Sequence, residues 1–117
     1  MRLESKKYLY DVHSAAELIR QFTSGKSLSD FESDAMLRSA VERQFEIIGE
    51  ALGQLAQSDM ATAAKISEYR RIIAFRNILI HGYANVDHRL VWGVVEGKLS
   101  VLIDEVQMLL QTEDDPR

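Results

Sequence analysis

Apolar residues recur at the spacing of one helical face along most of the 117-residue chain, and no segment alternates for long as a strand would. The first such segment extends from about Ser5 to Ser24. Its predicted buried face is formed by Leu9, Val12, Ala16, Ile19 and Phe22. Gly25 follows at a position where helices commonly end. The pattern therefore predicts an all-α protein with its first helix near the N-terminus.

A second helix is predicted to extend to about Gln57. Ser29 and Glu32 have the spacing of a capping box at its start, and a break is expected near Ser33. Its apolar stripe is formed by Leu37, Val41, Phe45, Ile48, Leu52 and Leu55. A short helical segment, residues 61–66, is expected before the next long helix.

Two further helices complete the predicted fold of four main helices and short helical segments. The third extends from about Glu68 to Ala84, with Ser67 as its cap. The fourth extends from Asp87, its cap, to about Gln111. Both helices are apolar on more than one face. Because a four-helix domain has one interior, the extra apolar faces predict burial against a second copy of the chain.

Composition favours one globular domain over residues 1–117, with a disordered acidic tail at 112–117. Hydrophobic residues make up 46% and charged residues 27% of the chain. The absence of cysteine excludes a disulfide framework, a thiol nucleophile and a thiolate metal site. No apolar run is long enough for a membrane span, and the N-terminus lacks the apolar segment of a signal peptide. We therefore expect a cytoplasmic protein.

The charge balance argues against a general nucleic-acid binder. Lys and Arg total 14 and Asp and Glu total 18, which gives a formal net charge of −4. Proteins that bind nucleic acid nonspecifically usually carry a basic surface that neutralises phosphates. Chemistry on RNA would therefore need a local cluster of positive charge, or a dimer that brings two clusters together.

Candidate chemistry is concentrated in the third predicted helix. Asn77 and His81 are four residues apart and share a face, and Arg76 lies about 140° from His81 around an ideal helix. A histidine can transfer protons near neutral pH, and an arginine can stabilise a developing phosphorane charge. RNA supplies its own nucleophile, the 2′-hydroxyl, so these residues need no metal or cofactor. Each chain offers one such pair, and a twofold dimer would supply a second.

Structural interpretations of these residues stand beside the catalytic one. A lone His near a helix end is more often structural, and Tyr83 alone is more often an amphipathic edge residue. On the second helix, Arg43, Glu46 and Glu50 are expected to form a solvated or ion-paired face, or alternatively to border the cleft. A metal site at residues 81–88 is disfavoured, because its candidate ligands span a helix end.

Three segments resemble one protein family. "RNILIHGY" (Arg76–Tyr83) resembles the R-x4-H-x-Y motif of HEPN-domain proteins of the HepT type, the toxins of MntA–HepT toxin–antitoxin pairs. "LRSAVERQFEIIGEAL" (Leu37–Leu52) resembles the family's second helix, and Ile66–Trp92 resembles its third helix, turn and fourth-helix start. The family often begins its third helix with Pro-Trp, where this chain has "ISEY" (residues 66–69). This departure affects the helix entry and not the chemistry.

The resemblance implies a HEPN-type antiparallel helical bundle that forms a homodimer. It implies a metal-independent endoribonuclease that cuts mRNA or tRNA and forms a 2′,3′-cyclic phosphate without a cofactor. Arg76 and His81 would be catalytic, and Asn77 would orient His81. A cognate MntA-like minimal nucleotidyltransferase, the antitoxin, would transfer AMP from ATP to Tyr83.

Two other hypotheses remain open at this point. The chain could be a non-catalytic HEPN module that binds and regulates a nucleotidyltransferase. It could also be a purely structural helical dimer, in which substitutions at Arg76 and His81 would leave cell growth unchanged.

Overall fold

A computed structural model describes residues 1–82 and 86–113 of the chain. Its seven helices are α1 (Leu3–Thr23), α2 (Leu28–Ser33), α3 (Ala35–Ser58), α4 (Met60–Ala63), α5 (Tyr69–His81), α6 (His88–Gly97) and α7 (Leu99–Glu113). The described residues contain no strand, so the all-α prediction is confirmed. None of the helices in these ranges is both long and apolar enough to cross a membrane.

The core lies mainly between α1, α3, α5 and α7. Helix α3 packs along α1 on one side and against α5 on another, while α7 packs back onto α1. The apolar faces predicted for the first two helices, which correspond to α1 and α3, are buried, apart from Phe22, which is partly exposed. From α7 the core receives Leu102, Ile103 and Val106. Burial of these side chains supplies the main driving force for folding.

The start of the second predicted helix differs from the sequence prediction. The capping box is formed by Ser27 and Asp30 rather than by Ser29 and Glu32. The Ser27 backbone N–H donates to an Asp30 carboxylate oxygen at 2.9 Å, and the Asp30 N–H donates to Ser27 Oγ at 3.2 Å. This earlier start buries Phe31 fully beneath α6, with its ring centroid 5.3 Å from that of Trp92.

The break expected near Ser33 is confirmed. Helix α2 ends at Ser33, and the Asp34 carboxylate caps α3 by accepting from the backbone N–H groups of Met36 and Leu37, each at 3.1 Å. The short segment expected at 61–66 is present in part, as the single turn α4 over Met60–Ala63.

The prediction that Ser67 caps the third long helix is wrong. Helix α5 begins at Tyr69, and Glu68 occupies the cap position without a capping side-chain hydrogen bond. Ser67 turns towards α7 instead, where its backbone N–H and Oγ donate to the Glu105 carboxylate at 2.9 and 2.6 Å. Helix α5 ends at His81, and the expected continuation to Ala84 lies outside the described residues.

The fourth predicted helix is two helices, so that prediction is corrected. Asp87 caps α6 as expected, accepting from the Arg89 N–H at 2.9 Å. The helix ends at Gly97, and α7 begins after Lys98, whose side chain forms an ion pair with Glu68 at 2.8 Å. The two apolar stripes of this segment thus serve different contacts, because α6 packs against α2 and α7 packs against α1. Helix α7 continues to Glu113, and the rest of the predicted tail lies outside the described residues.

Candidate active site

Arg76 packs directly onto the backbone of α3. A Cβ atom built on Gly49 of α3 would lie 2.3 Å from Arg76 Cβ, 3.1 Å from its Cγ and 3.2 Å from its Cδ. Real Cβ atoms do not approach other carbons so closely, so only glycine permits this crossing of α3 and α5. The Arg76 stem is therefore held between two helices rather than extended into solvent.

The two ends of the Arg76 guanidinium have different surroundings. Nε has almost no accessible surface, and it has no hydrogen-bond partner among the described residues. An Nη1 hydrogen bond to Asn77 Oδ1 is long, at 3.4 Å, and exposed. Because a buried Nε cannot reach a ligand, only the terminal nitrogens of Arg76 are available to an anion.

His81 is the last residue of α5, and its side chain is exposed. Five residues along a helix separate its Cα from that of Arg76 by about 7.5 Å along the axis. After it, the Gly82 N–H closes the helix by donating to the Ile78 carbonyl at 2.8 Å. A Cβ at Gly82 would lie 2.8 Å from that carbonyl oxygen, so glycine permits this compact helix end. His81 is thus presented to solvent at a helix terminus.

The structure brings Arg76 and Asn77 into contact, and Asn77 makes no hydrogen bond to His81 in the described part of the chain. The role of Asn77 in orienting His81 stays a prediction. Tyr83, the predicted modification site, lies outside the described residues.

The three candidate cleft residues of α3 include one ion pair. Arg43 Nη1 lies 3.4 Å from Glu46 Oε1, and the Arg43 side chain is largely exposed. Glu50 is exposed next to Gly49. The pairing of Arg43 with Glu46 agrees with the expected ion-paired face, and a role in bordering the cleft stays a prediction.

Sequence reasoning missed Glu42 and Gly49. Gly49 lies seven residues after Glu42, on the same side of α3 as Phe45, whose ring centroid is 5.3 Å from that of Phe75 on α5. Burial raises the pKa of Glu42, and His88 and Arg38 oppose this shift by favouring the charged carboxylate. The available signal for Gly49 was a glycine in the middle of an otherwise regular helical pattern, which often marks a close approach.

An apolar groove of about 440 Å³ lies between α5 and the α6–α7 pair. Its floor is formed by Phe45, Ile72, Phe75, Leu99 and Leu102. Three apolar side chains beside it are about half exposed, namely Ile78, Leu90 and Val101. Such a concentration of exposed apolar surface is typical of interaction surfaces.

No three His, Asp or Glu residues in the described ranges lie close enough together to hold a metal ion.

The fold and the helix that carries Arg76 and His81 define an all-α protein with an Arg-x4-His motif at one helix end. Residues 12–109 match the family model "Ribonuclease HepT-like". The chain belongs to this family, so the resemblance noted in the sequence is confirmed.

Several curated proteins are similar over nearly their whole length. One from Methanocaldococcus jannaschii, named "Putative RNase", is 32% identical over 89% of this chain and 94% of its own. A "Probable ribonuclease HepT" from Thermococcus cleftensis is 34% identical over 93% of this chain and 98% of its own. A further "Putative RNase", from Caldanaerobacter subterraneus subsp. tengcongensis, is 31% identical over 92% of this chain and 96% of its own. No solved structure matches the chain.

Proposed function

We propose that this protein is a metal-independent endoribonuclease in which Arg76 and His81 act on one RNA phosphodiester. The observation that carries the proposal is the fixed Arg76 stem on α5, one and a half turns before an exposed His81, in a chain of the HepT-like ribonuclease family. A guanidinium held in place before reaction is the arrangement that best stabilises developing negative charge.

The proposed reaction uses the RNA's own 2′-hydroxyl as the nucleophile. A base removes its proton, the 2′-oxygen bonds to phosphorus, and the bond from phosphorus to the 5′-oxygen breaks. The leaving oxygen takes a proton, which gives a 2′,3′-cyclic phosphate and a 5′-hydroxyl end. His81 would transfer one of these protons, and the Arg76 terminal nitrogens would hold the phosphorane oxygens.

Cleavage benefits from a base and an acid, and each chain contributes one His81. We therefore propose a homodimer that brings two Arg76–His81 pairs to a shared cleft. The half-exposed Ile78, Leu90 and Val101 beside the apolar groove support this, because a second copy would cover them. Sedimentation should show a dimer at micromolar concentration. A monomer would contradict the proposal and leave each site with one histidine.

As a toxin, the protein would be neutralised by a cognate MntA-like nucleotidyltransferase. The Tyr83 phenol oxygen would attack the α-phosphate of ATP and release pyrophosphate, leaving AMP on the tyrosine. The motif places Tyr83 two residues beyond His81, so the attached phosphate could pair with Arg76 and exclude RNA. Whether the neighbouring reading frame encodes a small nucleotidyltransferase is the first observation to make.

The decisive experiment incubates the purified protein with total RNA in EDTA. Cleavage that persists in EDTA and is lost in Arg76→Ala and His81→Ala would support the enzyme. Failure of the wild-type protein to cleave would favour the alternative, a non-catalytic HEPN module that binds and regulates a nucleotidyltransferase.

Co-expression with the cognate nucleotidyltransferase tests the proposed modification. Intact-mass and peptide analysis should show one or more AMP units on Tyr83, and Tyr83→Phe should escape both modification and neutralisation. Unmodified Tyr83 in a fully neutralised toxin would mean that the antitoxin acts by binding alone.

A further inference from the structure

We infer that Gly49 is a positioning residue for Arg76, because its missing side chain lets the arginine stem lie on α3 and fixes where the guanidinium can go. This inference rests on the proposed catalytic role of Arg76. Gly49 itself touches neither substrate nor reacting atoms in the proposal, and it would act only through the arginine.

The contact is too close to be relieved by rotating a side chain. The distance of 2.3 Å joins a Cβ built on Gly49 to the Cβ of Arg76, and both atoms are fixed by their backbones. An alanine at position 49 would therefore push α3 and α5 apart, or displace the Arg76 backbone. Displacing the Arg76 backbone would move the guanidinium relative to His81, and separating the two helices would remove the α3 surface that holds the arginine stem.

A second glycine of α3 provides a contrast. Gly53 lies one turn beyond Gly49, and a Cβ built there has no neighbouring atom within 4 Å. Glycine in a helix interior is less favourable than alanine, so Gly53 lacks the packing reason that Gly49 has. The comparison separates the general effect of a glycine in α3 from the specific contact with Arg76.

Burial of Nε adds an independent observation. That nitrogen is hidden and has no hydrogen-bond partner among the described residues, and such donors are rare in native proteins. The packing on Gly49 thus holds the stem in a position that leaves one donor unpaired. The fixed stem therefore limits the directions in which the terminal nitrogens of Arg76 can point.

The experiment compares Gly49→Ala with the matched control Gly53→Ala. Activity is measured on a fluorogenic oligoribonucleotide that the wild-type protein is first shown to cleave, and is normalised to folded protein. Gly49→Ala should lower kcat about 10²-fold, the typical effect of misplacing a catalytic group by about 1 Å. KM should change less, because Arg76 acts on charge that develops in the transition state. Gly53→Ala should keep the wild-type kcat and raise Tm slightly.

A measurement independent of catalysis follows the Arg76 Nε–H group by NMR. In the wild-type protein its exchange with water should be much slower than that of Arg71, whose side chain is 83% exposed. Gly49→Ala should speed the exchange of Arg76 Nε–H, and Gly53→Ala should not. Equal exchange at Arg76 and Arg71 in the wild-type protein would overturn the inference.

The remaining outcomes are also decisive. A folded Gly49→Ala protein with wild-type kcat overturns the positioning role. If Gly49→Ala does not fold, adding Arg76→Gly removes the colliding Cβ and should restore folding, and a failure to do so places the collision elsewhere. If Arg76→Ala cleaves RNA normally, the proposed function fails, while Nε–H exchange still reports whether Gly49 holds the arginine.

Discussion

The two ends of α5 are built differently. Immediately before the first turn, Ser67 donates two hydrogen bonds to the Glu105 carboxylate, and Glu68 pairs with Lys98 at 2.8 Å and Arg71 at 3.0 Å. At the last turn, His81 is exposed and makes no side-chain hydrogen bond or ion pair within the described ranges. One helix therefore combines a start fixed by polar contacts with an end that presents its side chain to solvent.

The buried residues of α5 explain how one helix can have both a start fixed by polar contacts and an exposed end. Leu79 and Phe75 are buried, and Arg76 packs on Gly49 between them. These buried residues, including Leu79 in the last turn, set the position of the helix, so the exposed His81 is positioned without a side-chain hydrogen bond or ion pair in the described ranges. Functional groups held on a rigid element in this way keep their geometry while remaining accessible.

The largest effect on stability is expected from the buried side of the last turn. Leu79→Ala, at a residue only 2% exposed, should lower the free energy of unfolding by about 2–5 kcal/mol. Chemical denaturation followed by circular dichroism measures this loss. Ile78→Ala is the matched control on the exposed side of the same turn, and in the monomer it should cost clearly less.

At His81, two residues after Leu79, we expect a substitution to lower activity rather than stability. His81→Ala should leave the free energy of unfolding nearly unchanged, because the side chain is exposed. It should lower the rate of RNA cleavage by about 10²–10³-fold, equivalent to roughly 2.7–4 kcal/mol of transition-state stabilisation. If His81→Ala unfolds the protein, the histidine is structural and the contrast between the two sides of the helix is wrong.

The sequence predicted buried faces better than it predicted helix ends. The stripes of α1 and α3 followed one period and are buried, because core packing depends on every residue of the pattern. Ser27 and Ser29 are both good caps, and the choice between them depends on Phe31 reaching Trp92, a residue distant in sequence. Ser67 likewise has a side chain suited to capping α5, but its hydroxyl donates to the Glu105 carboxylate on α7 instead. Tertiary contacts, which a local pattern does not contain, decided these ends.

The candidate site shows the same difference between features of one segment and features that depend on tertiary contacts. Arg76 and His81 were found from their chemistry and spacing, which are properties of one segment. Gly49 was missed because its importance lies in a contact between two helices. Glu42 was missed because its raised pKa comes from burial, which depends on the packing of α3 in the fold.

Low pH should destabilise the junction between α3 and α4. The Asp59 carboxylate accepts from Thr62 Oγ1 and Ser5 Oγ, both at 2.7 Å, and these bonds hold its pKa below the ordinary value of 3.8. Since the folded pKa is lowered, the stabilisation is complete above pH 3.8 and is lost as the pH falls through the folded value. Asp59→Asn should therefore flatten the decline of unfolding free energy below about pH 4. Urea denaturation across this range measures it, and Thr62→Val, which removes one of the bonds, should have a smaller effect. An unchanged decline in Asp59→Asn would contradict this assignment.

The smallest effect is expected at the start of α5. Glu105→Ala removes the acceptor for both Ser67 hydrogen bonds, and because these groups are near solvent the loss should be about 0.5–1.5 kcal/mol. Amide hydrogen exchange should rise in the first turn of α5, around Arg71 and Ile72, and remain unchanged around Leu79, which is held by the core. Gln107→Ala, an exposed residue of the same helix α7, is the control and should change neither quantity. If exchange rose equally along the whole of α5, the polar contacts and the buried residues would form one cooperative unit. The two ends of the helix would then not be fixed independently.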